Sequence, residues 1–218
     1  MARTKLAILI SGRGSNMEAL IKAARAPDYP ADVALVVSNV PTAKGLGIAR
    51  RHGVETLVVD HREYQDRGSF ENALQLALED AGIDLVCLAG FMRILNADFV
   101  MRWRDRMLNV HPSLLPAYRG LKTHERALED GVRFTGCTVH FVRPEMDSGP
   151  IVLQAAIPVH PDDTPATLAK RVLEQEHRIF VEAVRLVAGR HVRVSGNKVI
   201  GKTLRVPKEG LISPCIES

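Results

Sequence analysis

The apolar positions of the N-terminal half fall into short runs separated by stretches of helical character. Leu6–Ile10, Val33–Ser38, Glu55–Val59 and Leu85–Ala89 read as strands, and Met17–Ala26, Gly45–His52 and about Ser69–Asp80 read as helices between them. Gly53 and Gly82 follow two of these helices, where a cap residue with positive φ is useful. Apolar strands joined by helices predict a mostly parallel sheet, buried on both faces.

The second half has a different rhythm. Met107–Val110 is a short strand with a polar tip, and Thr123–Glu129 is a helix closed near Gly131. Thr138–Val142 and Ile151–Val159 read as strands on either side of a turn at Pro144–Gly149. Thr164 can cap a long amphipathic helix from Pro165 through about Ala188, since proline suits the first helical position. Gly196-Asn197 predicts a hairpin between His191–Val194 and Lys198–Ile200, and the last dozen residues, with weak patterning, are expected to pack loosely. The expectation is α/β class, one compact domain spanning residues 1–218, with a mostly parallel central sheet, flanking helices and an antiparallel C-terminal portion.

Composition narrows the partners. The 218 residues are 46% hydrophobic and 25% charged, as in an ordinary globular protein. No apolar run reaches the roughly 18 residues that cross a bilayer. Gly12 and Arg13 interrupt the first run where a signal peptide would continue, so neither a membrane partner nor a secretion signal is expected. A net charge of +4 gives a mild preference for anions. The basic clusters Arg102, Arg104, Arg106 and Arg190, His191, Arg193 lack the interleaved aromatics of a single-strand nucleic-acid platform. A phosphorylated metabolite explains that bias as well, and no nucleic-acid partner is expected. Cys87, Cys137 and Cys215 are too far apart for a disulfide framework or a metal cluster, which favours a reducing cytoplasm.

Two stretches carry candidate chemistry. Ser11-Gly12-Arg13-Gly14-Ser15-Asn16 joins the first strand to the first helix, where glycines let the backbone approach an anion and the helix start supplies free N–H groups. It lacks both the third glycine of a dinucleotide fingerprint and the Gly-Lys-Ser/Thr ending of a P-loop. A phosphate cradle and a tight capped turn both remain open. Asn109-Val110-His111-Pro112-Ser113-Leu114-Leu115-Pro116 places an amide and an imidazole two residues apart, on one side of a strand end. Ligands of open α/β sheets bind beyond such ends. Asp147, between two strands expected to be neighbours, can orient His111 and assist proton transfer, or simply bond its own turn. With no serine or cysteine in an elbow, this set suits direct acyl transfer to an amine better than acyl-enzyme chemistry. His111, Cys137 and His140 have no recognised metal-ligand spacing, so no metal is required.

Taken together, SGRGSN, LAGFMRIL, NVHPSLLPAYRG and HFVRPEMDSGP closely resemble the phosphoribosylglycinamide formyltransferase family, from Leu6 to the long helix near Arg185. Asn-x-His-x-Ser-Leu-Leu-Pro is similar across the wider group that acts on formyltetrahydrofolate. Pro112, Gly120-Leu121, Thr123-His124 and the glycine loop resemble the glycinamide ribonucleotide branch. The resemblance implies a Rossmann-like formyltransferase fold whose N-terminal half binds nucleotide and whose C-terminal half adds the folate pocket and a catalytic aspartate. It implies that Asn109, His111 and Asp147 help move a formyl group from 10-formyltetrahydrofolate, a cosubstrate, to the amine of glycinamide ribonucleotide in purine biosynthesis.

By the same resemblance Gly12, Gly14, Ser15 and Asn16 hold the nucleotide phosphate region, and Glu176 receives the ribose hydroxyls. Arg13 departs from the family pattern and either contacts phosphate or faces water. Met92, Arg93, Ile94 and Leu95 form the folate-pocket segment. Arg67 lies near it, and Asn109, His140, Glu145 and Asp147 line it. Tyr118-Arg119-Gly120 is slightly similar to the methionyl-tRNA formyltransferases, but the chain is short for their extra domain. The rival readings are a hydrolase that releases formate from formyltetrahydrofolate, a formyltransferase with another amine acceptor, and a nucleotide-binding or assembly protein without chemistry. Either a monomer or a homodimer is compatible with the sequence.

Overall fold

The computed structural model of the protein describes residues 2–202, 204–205 and 207–213. Seven strands form one sheet: β1 (Thr4–Ile10), β2 (Ala31–Ser38), β3 (Glu55–Val58), β4 (Leu85–Leu88), β5 (Met107–His111), β6 (Phe134–Phe141) and β7 (Ile151–Pro158). Their order is β3-β2-β1-β4-β5-β6-β7. Neighbours from β3 to β5 run parallel, and β6 and β7 are antiparallel additions. The expected mixed sheet is the observed one.

The helices are α1 (Ser15–Ala24), α2 (Lys44–Arg51), α3 (Arg67–Asp80), α4 (Ala97–Arg102), α5 (Thr123–Glu129) and α6 (Pro165–Ala188). Alternation along β1 decides which helices it holds. Leu6, Ile8 and Ile10 pack with Met17 and Leu20 of α1 and Phe180 and Val184 of α6. Ala7 and Leu9 face the other way, onto Phe70 and Leu74 of α3 and Phe99 of α4. Both faces are therefore covered, which is why the central strands read as unbroken apolar runs.

The long helix begins as expected, with Thr164 and Thr167 closing a reciprocal capping box and Pro165 in the first turn. Gly53 and Gly82 have φ of 74° and 64°. The hairpin of β8 (Arg193–Ser195) and β9 (Lys198–Ile200) forms a separate small sheet. Three elements differ from expectation. A 3-10 turn at His61–Glu63 and the six-residue α4 are additional, and β6 starts at Phe134 rather than Thr138. The first two are too short to show a period. The third begins Phe134-Thr135-Gly136, a start interrupted by glycine.

Residues 207–213 are irregular and mostly exposed, while residues 214–218, Cys215 among them, lie outside the described residues. Among the described residues no helix is long and apolar enough to cross a membrane. Cys87 and Cys137 are free and buried.

What matters for function is the topology at the C-terminal edge of the parallel strands. Strand order reverses between β1 and β4, so the loops leaving them diverge and open a crevice. Those loops are residues 11–14 and 89–96. The antiparallel pairing of β5 with β6 then sets Asn109 opposite His140 and His111 opposite Thr138.

Pairing of β6 with β7 requires glycine at one point. Gly136 faces Ala156, and a Cβ there would lie 1.8 Å from the Ala155 carbonyl oxygen. Gly136→Ala must push β7 outward. It is expected to cost at least about 2 kcal/mol, as overpacked sites do. Urea unfolding checks this, and an unchanged midpoint would contradict it.

Candidate active site

At the tip of β5 each polar side chain has a defined partner. His140 lies 3.0 Å from the Phe141 carbonyl through Nδ1 and 3.2 Å from the Asn109 amide nitrogen through Nε2. A carbonyl only accepts, so Nδ1 carries the proton and Nε2 accepts from Asn109. This neutral form suits the site. Burial pushes the His140 imidazole below its ordinary value, against the opposing effects of the Phe141 carbonyl and the Asp147 charge. Asn109 keeps its second amide hydrogen for the cleft.

His111 is fixed by backbone. Its Nε2 donates to the Tyr118 carbonyl at 2.9 Å, leaving Nδ1 to face Asp147 Oδ2 at 3.4 Å. Asp147 is held in turn by the Gly120 N–H, 2.9 Å from Oδ2, and its Oδ1 is 3.8 Å from His140 Nε2. Tyr118 and Asp147 have φ of 54° and 51°, unusual for residues with side chains. Both positions aim a group at His111. A separate network secures the intervening loop: Thr138 Oγ1 donates to the Ser113 carbonyl, Gln154 Nε2 donates to the Leu115 carbonyl, and Ser113 Oγ donates to the Ala117 carbonyl.

These groups form one end of a cavity of about 790 Å³. Leu88, Leu95, Val100 and Val142 supply an apolar wall, and Asn109, His111, His140 and Asp147 the polar end. Met92, Ile94, Leu121 and Met146 also line the cavity and are largely exposed. An apolar cleft with a few convergent polar groups is the usual form of a small-molecule site. Among the described residues no group of three or more His, Cys, Asp or Glu is arranged to hold a metal ion.

The glycine loop is built by close approach. Gly14, at φ 79°, precedes α1, and a Cβ on it would lie 2.8 Å from the Cα of Gly45. Gly45 donates its N–H to the Gly12 carbonyl at 3.0 Å. Gly12 and Arg13 are exposed, Ser15 is half-buried, and Asn16 is buried. The Asn16 amide donates to Glu176 Oε2 at 2.6 Å, although the two residues are 160 apart in the chain. Burial pushes the Glu176 carboxyl up, and the Asn16 bond partly offsets this.

The structure therefore brings together Asn109, His111, Asp147 and His140, and places Met92, Arg93, Ile94 and Leu95 in the same cavity. It brings Asn16 to Glu176. It leaves Arg67 exposed in the first turn of α3 and absent from the cavity lining. Glu145 also lies outside that lining and pairs with Arg119 at 3.1 Å. The Arg93 guanidinium stacks 4.9 Å over Phe70. Sequence reasoning did not find the Tyr118 carbonyl, the Gly120 N–H or the Gly45 contact. Nor did it give a site role to His124, a half-buried cavity residue whose imidazole burial pushes below its ordinary value. Only Thr123-His124, read as a branch motif, pointed there.

Fold and site together define a formyl transferase: the profile of that family, described as "Formyl transferase", matches residues 4–184. The chain is 38% identical to the phosphoribosylglycinamide formyltransferase of Escherichia coli over 94% of its own length and 97% of the relative's. It superposes on the glycinamide ribonucleotide transformylase 1 of Symbiobacterium toebii with a TM-score of 0.89, at 44% identity, covering 92% of this chain and 94% of that one. The chain belongs to the phosphoribosylglycinamide formyltransferase family. It is also 49% identical, over 95% of its length, to part of the human trifunctional purine biosynthetic protein adenosine-3, and spans about a fifth (20%) of that protein.

The hydrogen-bond pattern around His140 makes a direct prediction. Its ring should titrate below the ordinary imidazole value in NMR spectra of the folded protein. Asp147→Asn should lower the midpoint further, because it removes a charge that favours the imidazolium. A midpoint at or above that ordinary value would contradict the downward shift.

Proposed function

We propose that the protein transfers the formyl group of 10-formyltetrahydrofolate to the amine of glycinamide ribonucleotide, giving formylglycinamide ribonucleotide and tetrahydrofolate in purine biosynthesis. The observation that carries this reading is the convergence of Asn109, His111 and Asp147 at the polar end of a large apolar cleft. Family membership supports the same conclusion. On this reading residues 1–218 act as one catalytic unit in the cytoplasm, as a monomer or homodimer, with no nucleic-acid or membrane partner and no metal.

The cavity lining fits a reduced folate: its long apolar wall suits a bicyclic ring and aryl group, and its polar end suits the formyl group. Backbone groups of residues 92–95 would read the ring, while Ile94 and Leu95 enclose it. Arg67 and Glu145, outside the lining, would meet at most the distal part of that ligand. Gly12, Arg13, Gly14, Ser15 and Asn16 would hold the nucleotide phosphate and its surroundings, and Glu176 the ribose hydroxyls. The buried Asn16–Glu176 bond supports a shared role for these two residues.

The chemistry follows from which atoms are free. The amine attacks the formyl carbon, the bond from that carbon to the folate nitrogen breaks, and the amine's proton ends on the departing nitrogen. Asn109 donates its second amide hydrogen to the formyl oxygen as negative charge develops there. The Tyr118 carbonyl occupies His111 Nε2, so proton movement is confined to Nδ1. Protonated, Nδ1 donates to the developing oxyanion; deprotonated, it receives the amine's proton directly or through one water. Asp147, 3.4 Å away, stabilises the charged ring without capturing its proton in a short bond. Holding amine and formyl carbon together in the cleft supplies the orientation that solution lacks.

The primary test mixes protein and 10-formyltetrahydrofolate with and without glycinamide ribonucleotide. Formyl gain by the nucleotide is expected, and formate release without it would instead indicate a hydrolase. His111→Ala should lower kcat by about 100- to 10,000-fold with nucleotide binding little changed. Loss of nucleotide binding as well would break this division of labour. Asp147→Asn should impair turnover with little effect on the unfolding midpoint, and near-unaltered kcat would remove Asp147 from the mechanism.

A further inference from the structure

We propose that Ser11 couples the two ligand subsites, its hydroxyl tying the nucleotide loop to the folate wall so that occupancy of one tightens binding at the other. This rests on the assignment of residues 12–16 to the nucleotide and residues 92–95 to the folate.

Ser11 is the first residue beyond β1, at the point where the strand order reverses. Its N–H donates to the Gly90 carbonyl at 3.1 Å. Its hydroxyl donates to Asn39 Oδ1 at 2.6 Å and accepts the Met92 N–H at 2.8 Å. A hydroxyl has one hydrogen, and here that hydrogen is committed to Asn39. Asn39 is buried, and its amide nitrogen lies 3.2 Å from His61 Nδ1. Rotating Ser11 about χ1 therefore breaks two hydrogen bonds at once.

On its other side Ser11 is continuous with a loop that is itself anchored. Gly12 receives the Gly45 N–H, and Gly14 packs against Gly45. The folate wall between Gly90 and Asn96 has side-chain anchors at both ends: Ser11 at the Met92 N–H and Glu71 at the Asn96 N–H, 2.8 Å from Oε1. Glu71 reaches it from α3, whereas Ser11 alone of these two side chains belongs to the nucleotide loop. A phosphate bound to the N–H groups of residues 12–16 restrains Ser11, which in turn restrains the Met92 backbone. Ordering done by the first ligand is then not required of the second. Ser11 touches neither reacting group, so it is a positioning residue.

The test uses tetrahydrofolate, which carries no formyl group, so it and glycinamide ribonucleotide can bind together without turnover. Calorimetry gives the Kd of tetrahydrofolate with and without saturating nucleotide. The unaltered protein should bind tetrahydrofolate about five-fold or more tightly when nucleotide is present, and linkage requires the same factor in the reverse titration. Ser11→Ala should bring the two Kd values together, while Ser11→Thr, which keeps the hydroxyl, should retain the coupling. A Ser11→Ala protein with full coupling would overturn the proposal, as would independent binding of both ligands to the unaltered protein. Failure of the unaltered protein to bind either ligand alone would overturn the subsite assignment itself, and the coupling with it.

Discussion

A β-strand cannot slip by one residue without exchanging its two faces. In this protein β5 is the strand for which that constraint matters most. It pairs in parallel with β4 and antiparallel with β6, so two different hydrogen-bond ladders fix its register. Asn109 and His111 consequently project on the cleft side, while Leu108 and Val110 enter the core shared with α1 and α6. The same register sets His140 across from Asn109 at hydrogen-bonding distance. The turn after β6 leaves beside Met107, at the opposite end of β5, and folds back over the cleft face, which is how a residue 36 positions later reaches His111.

Much of this was legible in the chain. The parallel half was readable because strands buried on both faces leave unbroken apolar runs, and α6 because a threonine cap, a following proline and a long amphipathic pattern all agree. Asn109 and His111 could be paired because two-residue spacing on a strand fixes a common side. Asp147 was tied to them by its expected position between neighbouring strands and by family resemblance. The unread elements were short ones, such as α4, whose six residues complete fewer than two turns.

The unread parts of the site share a different cause. The Tyr118 carbonyl and Gly120 N–H are backbone groups, present at almost every position, so no residue type announces them. Their placement depends on φ values near 54° and 79° within a loop fastened by Ser113, Thr138 and Gln154. The Gly14–Gly45 approach joins two segments distant in the chain, and neither glycine names its partner. Arg67 and Glu145, which the family resemblance named, lie outside the cavity lining, Arg67 exposed at the start of α3 and Glu145 paired with Arg119.

The backbone acceptor for His111 has an evolutionary meaning as well. A side-chain acceptor can be lost through a single codon change, but the oxygen at position 118 survives every replacement of Tyr118 that preserves the loop's path. Part of the apparatus that orients the imidazole is thus written in conformation rather than in residue identity. Sequence drift at position 118 can proceed without erasing it. Removing the Tyr118 side chain would take away its hydrogen bond to Asp130 and its stacking with Arg126, yet the main-chain oxygen that touches the histidine would remain.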